Sequence, residues 1–375
     1  MDKTNHFIAA FDYRPALAAQ RTEVLAAIAE VLDSGTLILG KQVTAFETEF
    51  AGFVGSQHAI GAASGTDALI LAFRALDVGQ GDEVITVANG PVPTIAAIRA
   101  VGASPRFVDV DSIDLQMDPQ CIEQAISPAT KCVVPIHLYG HPAPVKAISE
   151  ICHRHGLMLI EDCAQAHGTQ VDGRHAGVQG AIGCFSFYPT KNLGAFGDGG
   201  LCVTDDHRLA ARMRQLRCYG FENDRIAHIE GMNSRLDELQ AACLRVQLRH
   251  LPSMLEQRRD IATTYLERLQ GTGVRLPRRP DNGVAAWHQF VVRVSRRAEW
   301  LRWLADHRIG VGLHYADPVH TMPAYVPFAP APGSLPVSEE ACGEVMSLPI
   351  YPGLRAVDIQ RVADTMIAGV QSGLN

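Results

Sequence analysis

Nowhere in the 375 residues does an apolar run reach the roughly 18 residues that a helix needs to cross a membrane, so a membrane protein is not expected. Aromatic residues make up only 6% of the chain, and no basic block or basic stripe with interleaved aromatics occurs. Net charge is −7 and the charges are scattered, which sets nucleic acid aside as a partner. The nine cysteines are odd in number, run from Cys121 to Cys342 and contain no CxxC pair. That pattern argues against a disulfide framework and for buried thiols in a reducing compartment. The opening residues, Met1-Asp2-Lys3-Thr4-Asn5-His6, lack the form of a secretory signal, and a cytoplasmic location is expected. What the chain has in quantity is apolar character. At 47% of the residues, it is enough to bury a large core and to fill two domains.

Residues 15–33 read as an amphipathic helix with Leu17, Val24, Leu25, Ile28 and Leu32 on one face, opened by Pro15 and closed by Gly35. From about residue 60, short stretches rich in β-formers alternate with helical patterns. Strands are expected at 83–87, 106–110, 132–136, 157–161, 184–188 and 201–204, and helices at 66–76, 92–101, 119–126, 145–155 and 208–216. The strands are apolar on both faces, which predicts an α/β fold: a mostly parallel sheet covered by helices on both sides, in three layers. Long helical stretches follow at 234–250 and 252–269. After a Gly-, Pro- and Arg-rich turn at 271–283 come a strand, "WHQFVVRV", and a helix, "AEWLRWLADHRIG". Residues 1–250 are therefore expected to form a large domain and residues 251–375 a smaller α+β domain.

Open α/β sheets bind ligands beyond the carboxyl ends of their strands, so polar residues there come first. "SGTDALILAFRAL", 64–76, places Gly65 just ahead of a helix start, where the amides of Thr66 and Asp67 and the helix dipole would hold a phosphate. The plainer reading makes Ser64 or Thr66 an ordinary N-cap. "LMLIEDCAQAHG", 157–168, puts Asp162 at the end of a buried strand, where a carboxylate must meet a cation, a cap or water. Gln165 can aim at the same space. "SFYPTKNLGAFGDGG", 186–200, carries one lysine, Lys191, followed by Gly194, Gly197, Gly199 and Gly200; such glycines imply a backbone passing close to something flat or bulky. Ser186 can add a hydroxyl. A phosphate-holding helix start, an acid at a strand end and a lysine 29 residues beyond it (191 − 162) give the order of parts for pyridoxal phosphate. Lys191 would bond the cofactor as a Schiff base, Asp162 would keep its pyridine nitrogen protonated, and Thr66, Asp67 and Ser186 would hold its phosphate. His137 and His141 are four apart, but on a strand running into a turn, so no metal site is expected.

The blocks "GTDAL", "GASPRFVDVD", "PIHLYGHPA", "HGLMLIEDCAQAHG", "FSFYPTKNLGAFGDGG" and "NSRLDELQAA" together resemble the DegT/DnrJ/EryC1/StrS sugar aminotransferases, over roughly residues 13–370. The resemblance implies the fold type I architecture of pyridoxal phosphate enzymes. It makes Lys191 the cofactor lysine, Asp162 the pyridinium partner, and Gln165 a contact to the ring hydroxyl, and matches Thr66, Asp67 and Ser186 to the phosphate contacts. Asn233 matches an asparagine that reaches the phosphate from the neighbouring subunit, which implies a homodimer; a helix N-cap ahead of residues 235–250 is its plainer role. Where the family usually stacks an aromatic ring on the cofactor, this chain has Pro91, which offers apolar contact without a π face.

By the same resemblance the reaction is a transamination from L-glutamate to a nucleotide-linked keto-6-deoxyhexose, with Lys191 moving the proton. The sequences around Lys191, "WHQFVVRV" and "LHYADPVHTMPAY" are more similar to members acting on dTDP-linked 3-keto sugars than to those acting at C4. Tyr188, His314, Tyr315 and His320 are candidates for sugar and nucleotide contacts, or else core aromatics and backbone partners. Amination at C4, amination of a cyclitol or aminohydroxybenzoate formation would use the same residues. Dehydratases of the family carry histidine in place of the lysine, and Lys191 argues against that chemistry. A cofactor-bearing regulatory protein is the non-catalytic alternative.

Overall fold

The computed structural model describes residues 6–222 and 224–374. Two helices, α1 (Arg14–Ser34) and α2 (Lys41–Val54), lead into strands β1 (His58–Ala62), β2 (Glu83–Val87), β3 (Ser104–Val108), β4 (Thr130–Val133) and β5 (Met158–Asp162). A short hairpin of β6 (Gln170–Val171) and β7 (Arg174–His175) precedes β8 (Ile182–Ser186) and β9 (Gly200–Thr204). The sheet runs β1-β9-β8-β5-β4-β2-β3. Pairs from β8 across to β3 are parallel, whereas β9 is antiparallel to both neighbours. The connections are α3 (Gly65–Ala75), α4 (Val92–Ala100), α5 (Ile122–Ala125) and α6 (Val145–His155), with α7 (His207–Leu216) following β9.

Strand side chains alternate between the two faces, so each strand feeds two cores. Ile60, Val84, Cys132, Ile160, Cys184 and Cys202 join Leu69, Phe73, Ile95 and Met213 from α3, α4 and α7. On the opposite face Phe185, Leu201 and Val203 pack with Phe46 and Phe50 of α2, and Ile85, Val133 and Leu159 pack with Ile148 and Ile151 of α6. Phe185 and Phe50 meet edge to face with centroids 5.0 Å apart. Each fully buried phenylalanine contributes about 1.5–3 kcal/mol. The α/β expectation is met, with β2 where the sequence reading put it and the other expected strands displaced by one to three residues. The displacement makes Asp162 and Ser186 the terminal residues of β5 and β8.

Four expectations change. First, β1 and α2 were not anticipated. The N-terminus of α2 is capped from afar: the Glu238 carboxylate accepts from the amides of Gly40, Gln42 and Val43 at 2.8, 2.9 and 2.8 Å. Second, Leu25 and Leu32 of α1 are exposed rather than packed; Val24 and Val31 are the buried apolar side chains. Third, α8 (Glu238–Leu269) is one 32-residue helix with Pro252 inside it. Proline costs an interior helix about 3 kcal/mol, but Leu248, Leu251 and Met254 around it are buried in one core and Ile261, Tyr265 and Leu269 further along in another. The expected division at 250/251 therefore falls inside a continuous helix. Fourth, α8 begins at Glu238, so Asn233 is not its N-cap.

Beyond α8, a short strand β10 (Gly283–Val284) pairs with β6, and β11 (Phe290–Arg293) pairs antiparallel with β12 (Val345–Leu348). With α9 (Arg297–Asp306), α10 (Pro336–Glu344) and α11 (Ala356–Gln371), these complete a separate core around Trp300, Phe290, Met346 and Met366, which also takes in Ile8. No helix is long and apolar enough to cross a membrane among the described residues.

Candidate active site

The polar groups singled out at strand ends converge on the connection between β8 and β9. Its turn is fixed by backbone bonds from Lys191 N to Tyr188 O (2.8 Å), Ala195 N to Phe187 O (2.7 Å) and Phe187 N to Gly199 O (2.8 Å). The glycines here serve chain-to-chain packing, not an open ligand face: a Cβ on Gly200 would lie 2.1 Å from Ser64 O, and one on Gly194 would lie 2.7 Å from Pro189 O. Lys191 itself is half-buried, and its Nζ makes no hydrogen bond or ion pair among the described residues. Burial lowers its ionisation to about 8, with Asp162 opposing the shift.

Asp162 ends β5 and is 2% exposed. Its Oδ2 accepts from Thr94 Oγ1 at 2.7 Å and its Oδ1 from Ala164 N at 3.0 Å. Burial raises its ionisation above the ordinary carboxylate range, against the pull of those two bonds and of Lys191. Gln165, buried three residues on, accepts from Tyr139 N at 2.6 Å through Oε1 and donates to Tyr315 Oη at 3.0 Å through Nε2. The Tyr139 hydroxyl in turn donates to His314 O at 2.6 Å. Burial pushes Tyr315 up to about 12 and His314 down to about 4, with Lys191 adding to the latter shift. Both are therefore neutral at physiological pH.

The start of α3 faces the end of β8. A Cβ on Gly65 would meet Ser186 Cβ at 2.5 Å and Oγ at 3.0 Å, so glycine is what lets the helix N-terminus reach Ser186. Of the two amides expected to be free, that of Asp67 is not: it donates to Ser64 Oγ at 3.1 Å, in the N-cap arrangement. The Asp67 carboxylate accepts from Ser234 Oγ at 2.9 Å. Gly65 and Thr66 keep the orphan amides of the first turn, and Ser186 keeps a hydroxyl that accepts only from Tyr188 N, at 3.3 Å.

Other sequence candidates fall outside this cluster. Tyr188 is 53% exposed and is not a core aromatic. Asn233 is exposed and forms an isolated antiparallel bridge with Cys218, closing the neck of the loop between them. His320 lies 3.2 Å from Glu339 Oε1, with its ring 6.1 Å from that of Phe107, and has no contact with Lys191 or Gln165. Pro91 is the N-cap residue of α4. His137, Glu161 and Cys163 lie together. However, Glu161 already accepts from His137 Nε2 and from the amides of Gly177, Gln179 and Gly180, so no lone pair is left for a metal ion.

Sequence reasoning passed over Thr94, Tyr139 and Asn192. Thr94 sits in the first turn after β2, so the same strand-end rule that selected Asp162 would have found it. Tyr139 has a left-handed backbone (φ 63°), which no residue type announces.

Residues 18–367 match the DegT/DnrJ/EryC1/StrS aminotransferase family. The chain is 45% identical over 356 residues to a dTDP-3-amino-3,4,6-trideoxy-alpha-D-glucose transaminase of Streptomyces venezuelae, covering 95% of this chain and 94% of the relative. It is 43% identical to a UDP-N-acetyl-3-dehydro-alpha-D-glucosamine 3-aminotransferase of Acidithiobacillus ferrooxidans, covering 96% and 97%. Among solved structures, DesV of S. venezuelae in complex with a ketimine intermediate superposes with a TM-score of 0.96 at 44% identity, covering 98% of this chain and 99% of that one.

Proposed function

The chain belongs to the DegT/DnrJ/EryC1/StrS aminotransferase family, and from that premise we propose that it moves an amino group from L-glutamate to the C3 carbonyl of a dTDP-linked 3-keto-6-deoxyhexose, using pyridoxal phosphate. The residues fit that cofactor. The Gly65 cradle against Ser186, with the free first-turn amides of α3, suits a phosphate. Pyridoxal phosphate, when bound, supplies an electron sink at the carbon that gains or loses the amine. Asp162, buried and accepting from Thr94 Oγ1 and Ala164 N, would hold a proton on the pyridine nitrogen. Gln165 has a second amide hydrogen, unclaimed among the described residues, for a ring hydroxyl. Lys191 would move the proton at the donor's α-carbon. Its ionisation near 8 leaves a usable neutral fraction at working pH. Pro91 gives the ring no stacking partner, so the cofactor leaves more readily than from a site with an aromatic there.

The observation that carries this reading is that half-buried Lys191, whose amine has no hydrogen bond or ion pair among the described residues, lies within electrostatic reach of the buried carboxylate of Asp162. Both relatives named above are described as acting at position 3, which supports C3 over C4. The test is a panel of dTDP-3-keto, dTDP-4-keto and UDP-3-keto sugars with glutamate, the products assigned by NMR. Amination at C3 is expected, and failure to turn over any nucleotide sugar would refute the substrate class.

We also read the protein as a cytoplasmic homodimer in which Asn233 completes the partner's phosphate site, with residues 251–375 as the smaller domain and α8 as a strut common to both. Supporting the dimer are four exposed large apolar side chains on and just beyond α1, Leu25, Leu32, Leu37 and Ile38. Mixing inactive Asn233→Ala and Lys191→Ala subunits should regain about one quarter of full activity, because half the dimers then carry one intact site. No regain would place Asn233 in its own subunit's site.

A further inference from the structure

Two left-handed turns meet behind Lys191. Tyr139 (φ 63°) and Gly140 (φ 83°) form one, and Trp287 (φ 48°) forms the other. Ala286 N donates to Gly140 O at 2.8 Å and Gln289 N to Tyr139 O at 3.2 Å. A Cβ on Gly140 would lie 2.8 Å from His288 N and 3.1 Å from Trp287 N, so the two backbones touch. Asn192, the residue after Lys191, joins the same stretch. Its Nδ2 donates to Ala286 O at 3.0 Å, and its Oδ1 lies 3.3 Å from His288 Nδ1. With Nδ2 turned to a carbonyl, Oδ1 is the acceptor, and His288 carries its proton on Nδ1.

What holds this stretch from the other side is a single cation. Arg258 Nη1 lies 3.1 Å from each of the carbonyl oxygens of Trp287, His288 and Ile350. Arg258 is 2% exposed and has no carboxylate partner among the described residues. A guanidinium without counter-charge is costly to bury unless dipoles converge on it, and here three do. We propose that Arg258 is a positioning residue for Lys191, acting through residues 286–288 and Asn192.

The carbonyls divide the labour. That of Ala286 points to Asn192 and those of Trp287 and His288 point to Arg258, so the left-handed turn at Trp287 is held from both sides. Without Arg258 the carbonyls of Trp287 and His288 lose their donor and the turn is held only from the Gly140 and Asn192 side, so the Asn192 anchor loosens and water gains access to Lys191. Neither Arg258 nor Asn192 bonds to Asp162 or to the start of α3, so the effect falls on the lysine. The titratable groups acting on or near Lys191 include Asp162 from β5, His167 beyond it, His288 and His314. Asp12, Tyr13 and Arg258 line the same cavity as Lys191, so Asn192→Ala separates the turn from the loss of Arg258's charge. Burial holds all three histidines neutral, so the lysine's ionisation reports its own burial and Asp162.

The test uses the full-length chain without cofactor. Modification of Lys191 by a small amine reagent is followed by mass spectrometry across pH. Arg258→Met and Asn192→Ala are each expected to raise the midpoint by about one unit, a roughly tenfold smaller neutral fraction on the rising limb. The double variant is expected to move it no further than Arg258→Met alone. In the loaded enzyme, kcat falls while KM for the donor stays within about twofold. That kinetic arm rests on the proposed transamination, whereas the titration does not, so failure of either can be told apart. A midpoint within about 0.2 units of wild type in folded Asn192→Ala overturns the proposal, even if Arg258→Met fails to fold. An Arg258→Met chain that only melts earlier makes Arg258 a purely structural residue.

Discussion

Replacing Thr94 by valine removes one hydroxyl and almost nothing else, and its consequence can be worked through. Thr94 Oγ1 donates to Asp162 Oδ2 at 2.7 Å, and both residues are buried. A hydrogen bond to a charged group contributes about 1.5–3 kcal/mol, which corresponds to raising the Asp162 ionisation by about one to two units. In the folded chain that ionisation already lies above 3.8 because of burial. Stability from this carboxyl is therefore fully present below pH 3.8 and is lost as pH rises through the raised folded value. Thr94→Val enlarges that loss. The stability gap between wild type and variant is smallest in acid and widens with pH, reaching about 1.5–3 kcal/mol once Asp162 is ionised in both chains. Urea unfolding of both chains from pH 5 to pH 8, with the slope checked for constancy, measures the gap. A gap that does not change with pH would refute the claim that the hydroxyl serves the charged form. With pyridoxal phosphate added, the variant is also expected to bind it less tightly, because the proposed site uses the same carboxylate to hold a proton on the pyridine nitrogen.

Two further substitutions probe the close approaches. Gly65→Ala places a carbon 2.5 Å from Ser186 Cβ and pushes α3 off β8, so fluorescence titration should show pyridoxal phosphate binding weakened at least about tenfold; an unchanged Kd would detach the α3 start from phosphate binding. Gly140→Ala meets backbone, not a movable side chain, at a φ of 83°, so a loss of about 2–4 kcal/mol is expected in denaturant unfolding, and a loss under about 0.5 would mean the two turns behind Lys191 are not tightly opposed.

Asp162, Ser186 and Lys191 could be read from the sequence because each follows an apolar strand, and strand periodicity is a local signal. Gly65 was equally open to reading, as a glycine at a helix start. The helix α2 was not legible, because its cap is Glu238, which no window around residues 40–43 contains. Pro252 misled for the converse reason: the local rule breaks a helix there, whereas side chains buried at either end of α8 keep it whole. The fate of the Asp67 amide turned on whether Ser64 faces it, a torsional detail that spacing does not encode. His320 shared a motif with His314 and Tyr315 but turns to Glu339, since a few residues of loop suffice to redirect a side chain. Tyr139, Asn192 and Arg258 matter through backbone carbonyls, and carbonyls carry no residue identity for a sequence to display.

The bridge between Cys218 and Asn233 has a practical consequence for taking this protein apart. It shuts the intervening loop at its neck, and Tyr219 N to Met232 O (3.0 Å) and Ser234 N to Arg217 O (3.0 Å) lie alongside it. Residues 224–228 beyond the neck are exposed. A protease nick there severs no strand and leaves the new ends stapled together. Gly65, Asp162, Ser186 and Lys191 go to one fragment, and Asn233, Arg258 and His314 to the other. Two separately expressed halves would thus divide the amine chemistry from the parts that orient it, and reassembly of the pair becomes a switch that can be thrown by mixing.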